Sequence, residues 1–575
     1  MPSNAEVARK LLEIRTLMEL DGESFHRYSA FERAAATLEN ASPVEDLIAA
    51  GELLALPGVG KSIGAAIEQI VATGTAEALE SYFTRYPRTI FEVLGVSGIG
   101  AKTGGMLFST YGIGSLAQLE AAIDGGALEG APRLGPKTLE NWKRGILAYK
   151  GRQARTPLPR ARAIAREAIA YLEAGPPSHR LLYAGSLRRQ EITVGDIDIV
   201  CTSDEALAVT AHFANWDRAA AVVAEGPTKC SIWLESGLQI DLRVLPDRVY
   251  GNLLQHFTGS REHNIKLREH AVRKGLRVSE NGILNLETGD VITCTDEESV
   301  YEALGMQYIP PELRQGLDEV DRAIARTIPA LIERDDLRGD FHMHCDFSDG
   351  ADTLDAMVAA AAALGYQYHA MSDHSQGRGS YGMTIERLRE QRARIALIGD
   401  RHGIRTLRAS EVDILPDGSL DYPLEVLAEL DLVIGSVHSA YNQTRDQMTA
   451  RLIRACENPF VDVIGHPTGR YVGGFGGYEF DYDAVFAAAA RTGTALEIDG
   501  QAARLDLPSP LARRAKAAGA TFALDSDAHA IADLEDVDFA VGQARRAGIE
   551  ARDVLNALPL DELLARIAQK RKGTA

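Results

Sequence analysis

This chain of 575 residues has no long apolar run. A helix that crosses a bilayer needs about 20 consecutive apolar residues, and no segment approaches that length. Charged residues also occur within the first ten positions, and no pattern of a secretory leader follows them. The sequence therefore predicts a cytoplasmic protein without a membrane partner.

Cysteine is scarce as well. The five cysteines are scattered, odd in number and without a C-x-x-C pair, so they indicate neither a disulfide framework nor a zinc finger. We expect reduced, mostly buried thiols at Cys201, Cys230, Cys294, Cys345 and Cys456.

Basic charge is also in short supply. The net charge is −20, which ordinarily argues against a nucleic-acid partner. Much of the excess is C-terminal, because residues 316–575 hold 28 basic and 41 acidic residues, a net charge of −13. We therefore expect weak, salt-sensitive DNA binding through local patches rather than through one basic face.

The stretch from residue 185 to residue 200 combines a turn with a strand. Gly185-Ser186 follows an apolar run and would offer backbone N–H groups and a hydroxyl to phosphate oxygens. Asp196 and Asp198 alternate with isoleucines, so both carboxylates point to one face of a strand, where they repel each other unless a cation lies between them. Hard oxygen ligands select Mg²⁺ or Mn²⁺. A surface strand with a chance D-x-D is the plainer alternative for that motif alone.

Asp241 extends this set. It lies in the middle of the strand-like run 238–245, between apolar residues, where an unpaired carboxylate would cost several kcal/mol. We expect it to be the third metal carboxylate, although an aspartate that caps a sheet edge remains an alternative.

Two glycine-rich turns near the N-terminus are predicted to bind phosphate groups through their backbone amides. Gly58, Gly60 and Lys61 precede one amphipathic helical pattern, and Gly98, Gly100 and Lys102 precede a second. Glycines let the backbone approach a phosphate closely, and the N–H groups at the start of a helix point at it. A single such turn could be a tight turn only; the pair indicates two helix-hairpin-helix motifs that bind a DNA backbone without reading its sequence. A third, weaker one spans residues 133–137.

The stretch 185–200, with Arg188 and Arg189 at this spacing, resembles the signature of the nucleotidyltransferase superfamily. Residues 21–72 resemble the N-terminal domain of DNA polymerase beta and its relatives, through Phe25, Phe31 and the first glycine turn. Where those relatives carry the lysine that forms a Schiff base with an abasic sugar, this chain has Ala66, so the resemblance does not extend to lyase chemistry.

Residues 253–268 resemble the nucleotide-facing loop of X-family polymerases. By this resemblance the loop would contact the nucleotide and Arg268 the template strand, and His256 takes the place of a tyrosine that helps to exclude ribonucleotides. The matching positions, with Ser186 and Arg189 expected on the triphosphate, give the nucleotide-binding set: Gly185, Ser186, Arg189, His256, Phe257, Gly259, Ser260 and Asn264.

The C-terminal third repeats a pattern of an apolar run, a metal-ligand residue and an alanine-rich helix. Seven such β/α units predict a barrel with its site at the carboxyl ends of the strands. Each histidine alone is more often a core or surface residue, as we expect for His369 and His402, but five histidine-bearing strand ends and one glutamate indicate a multi-metal Zn or Mn site that hydrolyses a phosphoester. The strand ends lie at 342–344, 371–374, 409–411, 436–438, 464–466, 497–499 and 524–529.

This third resembles the PHP (polymerase and histidinol phosphatase) domain, all nine of whose ligand positions are filled here. By this resemblance one ion would be held by His342, His344, Glu411 and Asp527. A second would be held by Glu411, His438 and His466, with Glu411 as the bridge. A third would be held by Asp349, His374 and His529. The resemblance implies an active Mn²⁺-dependent 3′→5′ exonuclease. The site itself is expected to hold up to three ions of Mn²⁺ or Zn²⁺.

The order of these parts resembles the bacterial X-family DNA polymerases and predicts a multidomain α+β and α/β protein. We expect helix-hairpin-helix domains, a nucleotidyltransferase palm with a thumb, and a (β/α)7 PHP barrel. The expected segments are 1–88 (N-terminal DNA-binding), 89–150 (second helix-hairpin-helix), 151–250 (palm), 251–315 (thumb), 316–337 (linker) and 338–575 (PHP).

These features together predict a polymerase that fills short gaps in DNA repair. Asp196, Asp198 and Asp241 would bind the metals, and the partners would be gapped or nicked DNA and deoxynucleoside triphosphates, met by a monomer. The alternatives are a template-independent or tRNA nucleotidyltransferase, a DNA-end-binding scaffold, and a PHP phosphoesterase with a vestigial polymerase.

Overall fold

The computed structural model describes residues 4–39, 44–96, 98–131, 134–153 and 155–572. The chain divides into two compact units. The first comprises Met1–Ala154 with two short later segments, 217–224 and 231–239, and the second comprises the remainder. Within the described ranges, no helix is both long enough and apolar enough to cross a membrane. All five cysteines are buried and unpaired, as expected.

The first unit is helical because its apolar residues recur at helical spacing. Val7, Leu11, Ile14 and Met18 form one buried stripe on the first helix. Their burial joins them to the core of this unit, which reaches Trp142 on the last helix. The helices are α1 (Asn4–Leu20), α2 (Phe25–Glu39), α3 (Val44–Ala49), α4 (Lys61–Thr73), α5 (Glu77–Phe83), α6 (Ile90–Leu94), α7 (Ala101–Tyr111), α8 (Leu116–Asp124) and α9 (Pro136–Gln153).

The next part of the chain contains the strands that carry the predicted palm aspartates. Its elements are β1 (Thr156–Pro157), α10 (Leu158–Glu173), β2 (His179–Tyr183), α11 (Gly185–Arg188), β3 (Thr193–Val194), β4 (Asp196–Thr202), α12 (Ala206–Ala214), β5 (Ala219–Gly226), β6 (Lys229–Leu234) and β7 (Gln239–Leu245). Strands β2 and β4 are antiparallel, with Tyr183 opposite Ile199, and β7 is the other neighbour of β4. The turn after β2 therefore lies beside the start of β4.

A small α+β segment follows, with its own core around Leu267, Val300 and Tyr301. Its three-stranded antiparallel sheet has the order β10–β9–β8. The predicted linker contains one six-residue helix, α16. The elements are α13 (Tyr250–Thr258), α14 (Arg261–Arg273), β8 (Leu276–Ser279), β9 (Gly282–Asn285), β10 (Val291–Ile292), α15 (Glu297–Ala303) and α16 (Glu319–Ile324).

The C-terminal part is a parallel sheet surrounded by helices, with strand order β11–β12–β13–β14–β15–β16. The helices are α17 (Leu354–Ala363), α18 (Ile385–His402), α19 (Leu424–Leu427), α20 (Arg445–Glu457), α21 (Tyr482–Thr492), α22 (Ser509–Ala517), α23 (Val537–Ala547) and α24 (Leu560–Lys572). The strands are β11 (Tyr368–Met371), β12 (Arg405–Asp413), β13 (Leu432–Ser436), β14 (Val463–Ile464), β15 (Ala495–Asp499) and β16 (Phe522–Asp525).

The sheet has six regular strands where the sequence predicted seven. The segment 340–344 occupies the first position as an irregular strand. Met343 forms a single parallel bridge with Ala528, which follows β16, while Ala370 on β11 donates to the Asp340 carbonyl at 2.8 Å. The segment thus contacts both edge strands. It forms no regular ladder because buried side chains accept hydrogen bonds from its backbone amides, as Asp525 Oδ1 does from the Phe341 amide at 2.7 Å.

Alternation along the strands separates two cores. On β13, Leu432 and Ile434 join the cluster inside the sheet, whereas Val433 packs with the surrounding helices. Leu563 and Ile567 of α24 belong to the inner cluster. The predicted metal ligands lie at the carboxyl ends of the strands.

Candidate active sites

The palm aspartates lie where the alternation of a strand predicts. Asp196 begins β4, Asp198 follows on the same face, and Asp241 lies on the adjacent strand β7. Burial, and next the nearby charges of Asp196 and Asp241, raise the pKa of Asp198 to about 7. Burial and Asp241 also raise the pKa of Asp196. These carboxylates therefore act on one another through a poorly solvated space.

The turn that begins α11 approaches the second aspartate closely. Gly185 has φ +59°, and a Cβ at this position would lie 2.3 Å from Asp198 Oδ2. The Ala184 amide donates to the Asp198 carbonyl at 2.7 Å. Only glycine fits here, because a side chain would meet the carboxylate and strain the backbone. Gly185 and Ser186 are thereby placed next to the aspartates.

The two arginines of the turn are held by the thumb. Arg189 donates to the Thr258 carbonyl and Arg188 to the Thr258 hydroxyl, each at 2.6 Å. Arg188 also pairs with Glu297 at 2.6 Å, and Glu297 pairs with the buried Arg314 at 2.5 Å. Burial opposes ionisation of Glu297, but Arg314 and Arg188 lower its pKa to about 2. The turn is thus fixed by a buried charged network.

The end of α13, the start of α14 and the two residues between these helices carry the rest of the predicted nucleotide-binding set. The side-chain amide of Asn264 donates to the His256 carbonyl at 2.9 Å and accepts from Gln255 at 2.8 Å. The Ser260 hydroxyl caps α14 by accepting from the His263 amide. Both side chains therefore fix the loop in this structure.

His256 and Phe257 lie in the last turn of α13, and Gly259 follows that helix. The His256 and Phe257 ring centroids lie 5.0 Å apart. His256 is 3.7 Å from Glu280, and burial lowers the pKa of its imidazole, so a neutral ring stands where a tyrosine was expected. Gly259 takes φ +65° after Thr258. Arg268 is exposed on α14.

The two predicted DNA-binding hairpins of the first unit have the same local geometry. Gly58 and Gly98 have φ +85° and +88°, and Gly60 and Gly100 are the N-caps of α4 and α7. The apolar residue between each glycine pair is buried. Lys61 and Lys102 occupy the exposed first turns that follow.

The weaker third hairpin repeats one feature of this geometry. Leu134 is buried and its amide donates to the carbonyl three residues earlier, as do the amides of Val59 and Ile99. Its helix, α9, begins at Pro136. Arg133 lies outside the described residues, as does Ser97 of the second hairpin.

The nine predicted barrel ligands converge at the carboxyl ends of the strands. Glu411 is central: its carboxylate lies 2.8 Å from His466, 3.1 Å from His438 and 2.7 Å from His374. His342 lies 3.5 Å from Glu411 and 3.4 Å from Asp527. These are the separations expected of groups that would share cations.

The remaining ligands complete a second edge of the cluster. His344 lies 3.2 Å from Asp527. Asp349 lies 3.4 Å from His374 and 3.5 Å from His529. The cluster therefore extends from the buried end of β12 to the half-exposed His529.

The geometry defines the ligand groups somewhat differently from the sequence. Three groups have ligand atoms within 4.8 Å of one another, and all lie in the barrel. His344 joins Asp349, His374 and His529, and His374 rather than His466 accompanies Glu411 and His438. The third group is His342, His344 and Asp527. The palm aspartates, although all are described, do not form a group this tight.

Several buried ligand atoms lack ordinary partners, which is the state a cation would relieve. His342 Nε2, His374 Nδ1 and Glu411 Oε2 are inaccessible to solvent and lack hydrogen-bond geometry within the described residues, although Glu411 Oε2 lies only 2.7 Å from His374 Nδ1 and 3.5 Å from His342 Nε2. Burial lowers the pKa values of His344 and His466 to about 3, so both rings stay neutral and keep a lone pair. Despite burial, Glu411 and Asp349 raise the pKa of His374 to about 10. This donor set fits transition-metal ions.

Residues outside the predicted set orient these ligands. Glu497 accepts from His342 Nδ1 at 2.6 Å, and Asp413 accepts from His438 Nδ1 at 2.6 Å. Gln501 donates to Asp527 Oδ2 at 2.8 Å. A carboxylate behind a ligating histidine fixes the ring and its tautomer. Glu497 could have been suspected, since it ends a predicted strand; nothing in the sequence singles out Asp413 or Gln501.

The ligand cluster opens into a cavity of about 400 Å³. Besides seven of the predicted ligands, Arg378, Tyr471 and Arg504 line it, together with Asp533 and Asp536 just before α23. The cavity offers positive charge next to the cluster, which suits an anionic substrate.

Helix α23 runs from this cavity to the palm turn. Arg546 pairs with Glu191 at 2.9 Å and donates to the Arg189 carbonyl, and Gln543 donates to the Gln190 carbonyl at 2.8 Å. Arg546 is 6% exposed. The palm turn is therefore held by the PHP segment as well as by the thumb.

Family models match four parts of the chain. Residues 2–76 match a helix-hairpin-helix domain, and 90–146 match a SAM-like helix-hairpin-helix tandem. Residues 253–315 match the DNA polymerase beta thumb, and 340–489 match the PHP domain. Together these domains imply a protein that binds DNA and uses divalent metal ions.

One similar protein matches nearly the whole chain, and two others match about a third of it. The DNA polymerase/3′-5′ exonuclease PolX of Bacillus subtilis (strain 168) is 36% identical over 564 residues, 97% of this chain and 98% of that protein. A probable phosphatase of Thermoanaerobacter sp. (strain X514) is 33% identical over 164 residues, 27% of this chain and 64% of that protein. One of Aliivibrio fischeri (strain MJ11) is 29% identical over 223 residues, 35% of this chain and 85% of that protein. Since the first likeness extends from the hairpins through the barrel, the chain belongs to the bacterial X-family DNA polymerases with a C-terminal PHP domain.

Proposed function

We propose that this protein fills short gaps in DNA by templated addition of deoxynucleotides and trims 3′ ends with its PHP barrel. One observation carries the proposal: the likeness to a DNA polymerase/3′-5′ exonuclease covers 97% of the chain, while the three palm aspartates and nine barrel ligands are all present. The two chemistries oppose each other on the same DNA end, as repair of a damaged gap requires.

Asp196, Asp198 and Asp241 would hold Mg²⁺ or Mn²⁺ in the palm. The raised pKa values of Asp196 and Asp198 indicate a site with too little positive charge, which a divalent cation supplies. Bound there, such ions neutralise the developing charge of phosphoryl transfer. The protein's own contribution is to fix the three carboxylates on two adjacent strands.

Gly185, Ser186 and Arg189 would bind the triphosphate of the incoming deoxynucleotide. The glycine allows the backbone to approach, the serine offers a hydroxyl, and the arginine offers charge that burial withdraws from water. His256, Phe257, Gly259, Ser260 and Asn264 would form the wall beside base and sugar. Positioning on this rigid turn supplies much of the rate.

The barrel cluster would hold up to three ions of Mn²⁺ or Zn²⁺. The mixed imidazole and carboxylate set, in which three buried ligand atoms make no hydrogen bond within the described residues, fits such ions. Bound there, they polarise a phosphodiester and lower the pKa of a bound water. Arg504 and Arg378, which line the cavity, would bind the phosphate of the terminal nucleotide.

The helix-hairpin-helix turns would place the protein on gapped or nicked DNA. Gly58, Gly60, Gly98 and Gly100 present backbone amides at helix N-termini, and Lys61 and Lys102 add charge. Arg268 would contact the template strand. Such contacts set position rather than sequence preference. We propose that the protein works as a monomer.

Extension of a primer on a gapped duplex tests both activities. The assay uses the native chain, Asp198→Ala and His344→Ala, with Mg²⁺ or Mn²⁺, with and without deoxynucleotides. We expect Asp198→Ala to lose extension but keep degradation, and His344→Ala to do the reverse. No extension by the native chain, or extension undiminished in Asp198→Ala, would contradict the polymerase; native-level degradation by His344→Ala would contradict the barrel exonuclease.

A further inference from the structure

Exposed aromatic rings gather at the mouth of the barrel cavity. Among the described residues, four tyrosine or phenylalanine side chains are exposed, and three of these lie on the loops after β13 and β14: Tyr441 at 38%, Tyr471 at 43% and Phe475 at 46%. These loops begin at the ligands His438 and His466. An apolar cluster held in water next to a catalytic centre indicates a ligand with apolar faces.

The rings are within reach of the ligand cluster. Tyr471 borders the 400 Å³ cavity, and the Arg504 guanidinium carbon lies 4.6 Å from its ring centroid. Arg504 Nε lies 3.5 Å from Asp527 Oδ2. Tyr471 is therefore separated from a metal ligand by a single arginine.

The other two rings continue from this point. Tyr441 lies 5.8 Å from Phe475 and is stacked at 6.0 Å and 12° on the buried Tyr478. One side of Tyr441 thus rests on the core of the barrel. Tyr441 and Phe475 form a ring pair, and Tyr471 lies on the same loop as Phe475.

Backbone contacts hold the loop that presents Tyr471 and Phe475. The Tyr471 amide donates to the Phe475 carbonyl at 2.7 Å, and Val472 donates to the Ala503 carbonyl at 2.8 Å. At the base of the loop, Thr468 makes two hydrogen bonds to the buried Asp506, at 2.9 and 3.0 Å. The exposed rings are therefore built into place.

We propose that Tyr441, Tyr471 and Phe475 form a nucleobase platform on which the last unpaired bases of a single strand stack, so that its terminal phosphodiester enters the cavity. The proposal rests on the exonuclease function proposed above. Every base has a π-face, so such a platform binds without sequence preference, whereas bases in a duplex are already stacked on their neighbours. Arg504, between Tyr471 and Asp527, places positive charge where the backbone turns inward.

A strand without terminal bases tests the platform. In this experiment the full-length chain is incubated with Mn²⁺ and one of two substrates. The first is a 5′-labelled oligothymidylate, and the second is the same strand ending in two abasic tetrahydrofuran residues. Tyr471→Leu and Phe475→Leu should each raise KM on oligothymidylate by about tenfold, with kcat little changed. On the abasic strand the native KM should already be raised, and the variants should add nothing. Leu397→Ala, an exposed site on α18, controls for loss of surface apolar area.

A strand ending in 2-aminopurine gives a readout without turnover. In EDTA, stacking on the platform should quench its fluorescence in the native chain and in Leu397→Ala, and Tyr471→Leu and Phe475→Leu should lose this quenching. Quenching that persists in both variants overturns the proposal.

The kinetic result has its own contrary outcome. If the variants lose as much on the abasic strand as on oligothymidylate, the rings only support the loop and the platform is wrong. If the native chain degrades neither strand, the exonuclease proposal fails, and the 2-aminopurine result alone decides the platform: quenching that disappears in the variants supports it, and unchanged quenching refutes it.

Discussion

Gly185 and Asp198 touch: a single methyl group added to Gly185 would lie 2.3 Å from the Asp198 carboxylate. The turn proposed to bind phosphate is thus packed closely against the strand proposed to bind metal, with no room for a side chain between them.

Gly185→Ala should abolish gap filling while degradation of 3′ ends continues. The new Cβ must displace Asp198, and alanine is strained at φ +59°. We expect extension to fall by about 100-fold, the scale seen when a reacting geometry is displaced by about 1 Å. Steady-state kinetics on gapped DNA measure it. Gly226→Ala, whose Cβ would lie 3.8 Å from the nearest atom, should behave as the native chain does.

Stability of the metal-free protein should fall as pH rises through the range in which Asp198 ionises. The pKa of its carboxyl is raised to about 7 in the fold from an ordinary value of 3.8. Because the folded carboxyl holds its proton more tightly than the unfolded one, its contribution to stability is complete below pH 3.8, the pKa in the unfolded chain. This contribution is lost as the pH rises toward about 7, the pKa in the fold. Thermal unfolding in EDTA between about pH 4.5 and 7.5 should show the decline, and Asp198→Asn should flatten it. An unchanged profile in Asp198→Asn would contradict the assignment.

Glu497→Gln should weaken metal binding in the barrel and leave extension intact. Glu497 accepts from His342 Nδ1 and also from the His466 amide, and a glutamine cannot accept both with equal strength. Loss of such an outer partner costs about 10- to 100-fold in metal affinity. Calorimetric titration with Mn²⁺ measures it directly. Glu457→Gln, which removes only a surface pair with Arg491, is the control.

Arg546→Met should impair the polymerase although it lies in the PHP segment. The substitution leaves Glu191 and the Arg189 carbonyl without their partner and frees the palm turn. We expect a raised KM for deoxynucleotides and about 1–3 kcal/mol less stability. Arg552→Met, at an exposed position, should change neither. A normal KM with lowered stability would show that the interaction is only structural.

Lys61→Ala with Lys102→Ala should weaken binding to gapped DNA equally for all sequences. Both lysines are exposed beside hairpin glycines, and neither makes an ion pair among the described residues. The slope of log affinity against log salt should fall by about 0.9 for each DNA phosphate that is no longer neutralised. Fluorescence anisotropy at several salt concentrations measures it. Lys143→Ala, whose lysine pairs with Asp124, should leave the slope unchanged.

The sequence predicted those features that repeat with a period. The alternation of Asp196 and Asp198 placed both on one face, and the convergence of the nine predicted barrel ligands followed from their common position at strand ends. The first strand was predicted, but its irregular form at 340–344 was not, because that form depends on a hydrogen bond to Asp525, far along the chain. The sharing of His374 between two groups depends on ring orientation, which no spacing encodes.

The sequence also did not predict hydrogen bonds between segments that are distant along the chain. Arg546 and Gln543 donate hydrogen bonds to the backbone carbonyls of Arg189 and Gln190. Every residue has a backbone carbonyl, so the sequence does not show which carbonyls accept such bonds. Such partners become visible only when the fold is known.

The position of helix α23 bears on how this polypeptide can be divided. A truncated version that ended at residue 337 would retain every palm aspartate, yet it would lose Arg546 and Gln543 and leave Glu191 without its 2.9 Å ion pair to Arg546. Removing the exonuclease by deletion is therefore not equivalent to inactivating it by point mutation. The polymerase is not a detachable module to which a nuclease was appended, and gene fusions or minimal enzymes built on that assumption would begin from a weakened scaffold.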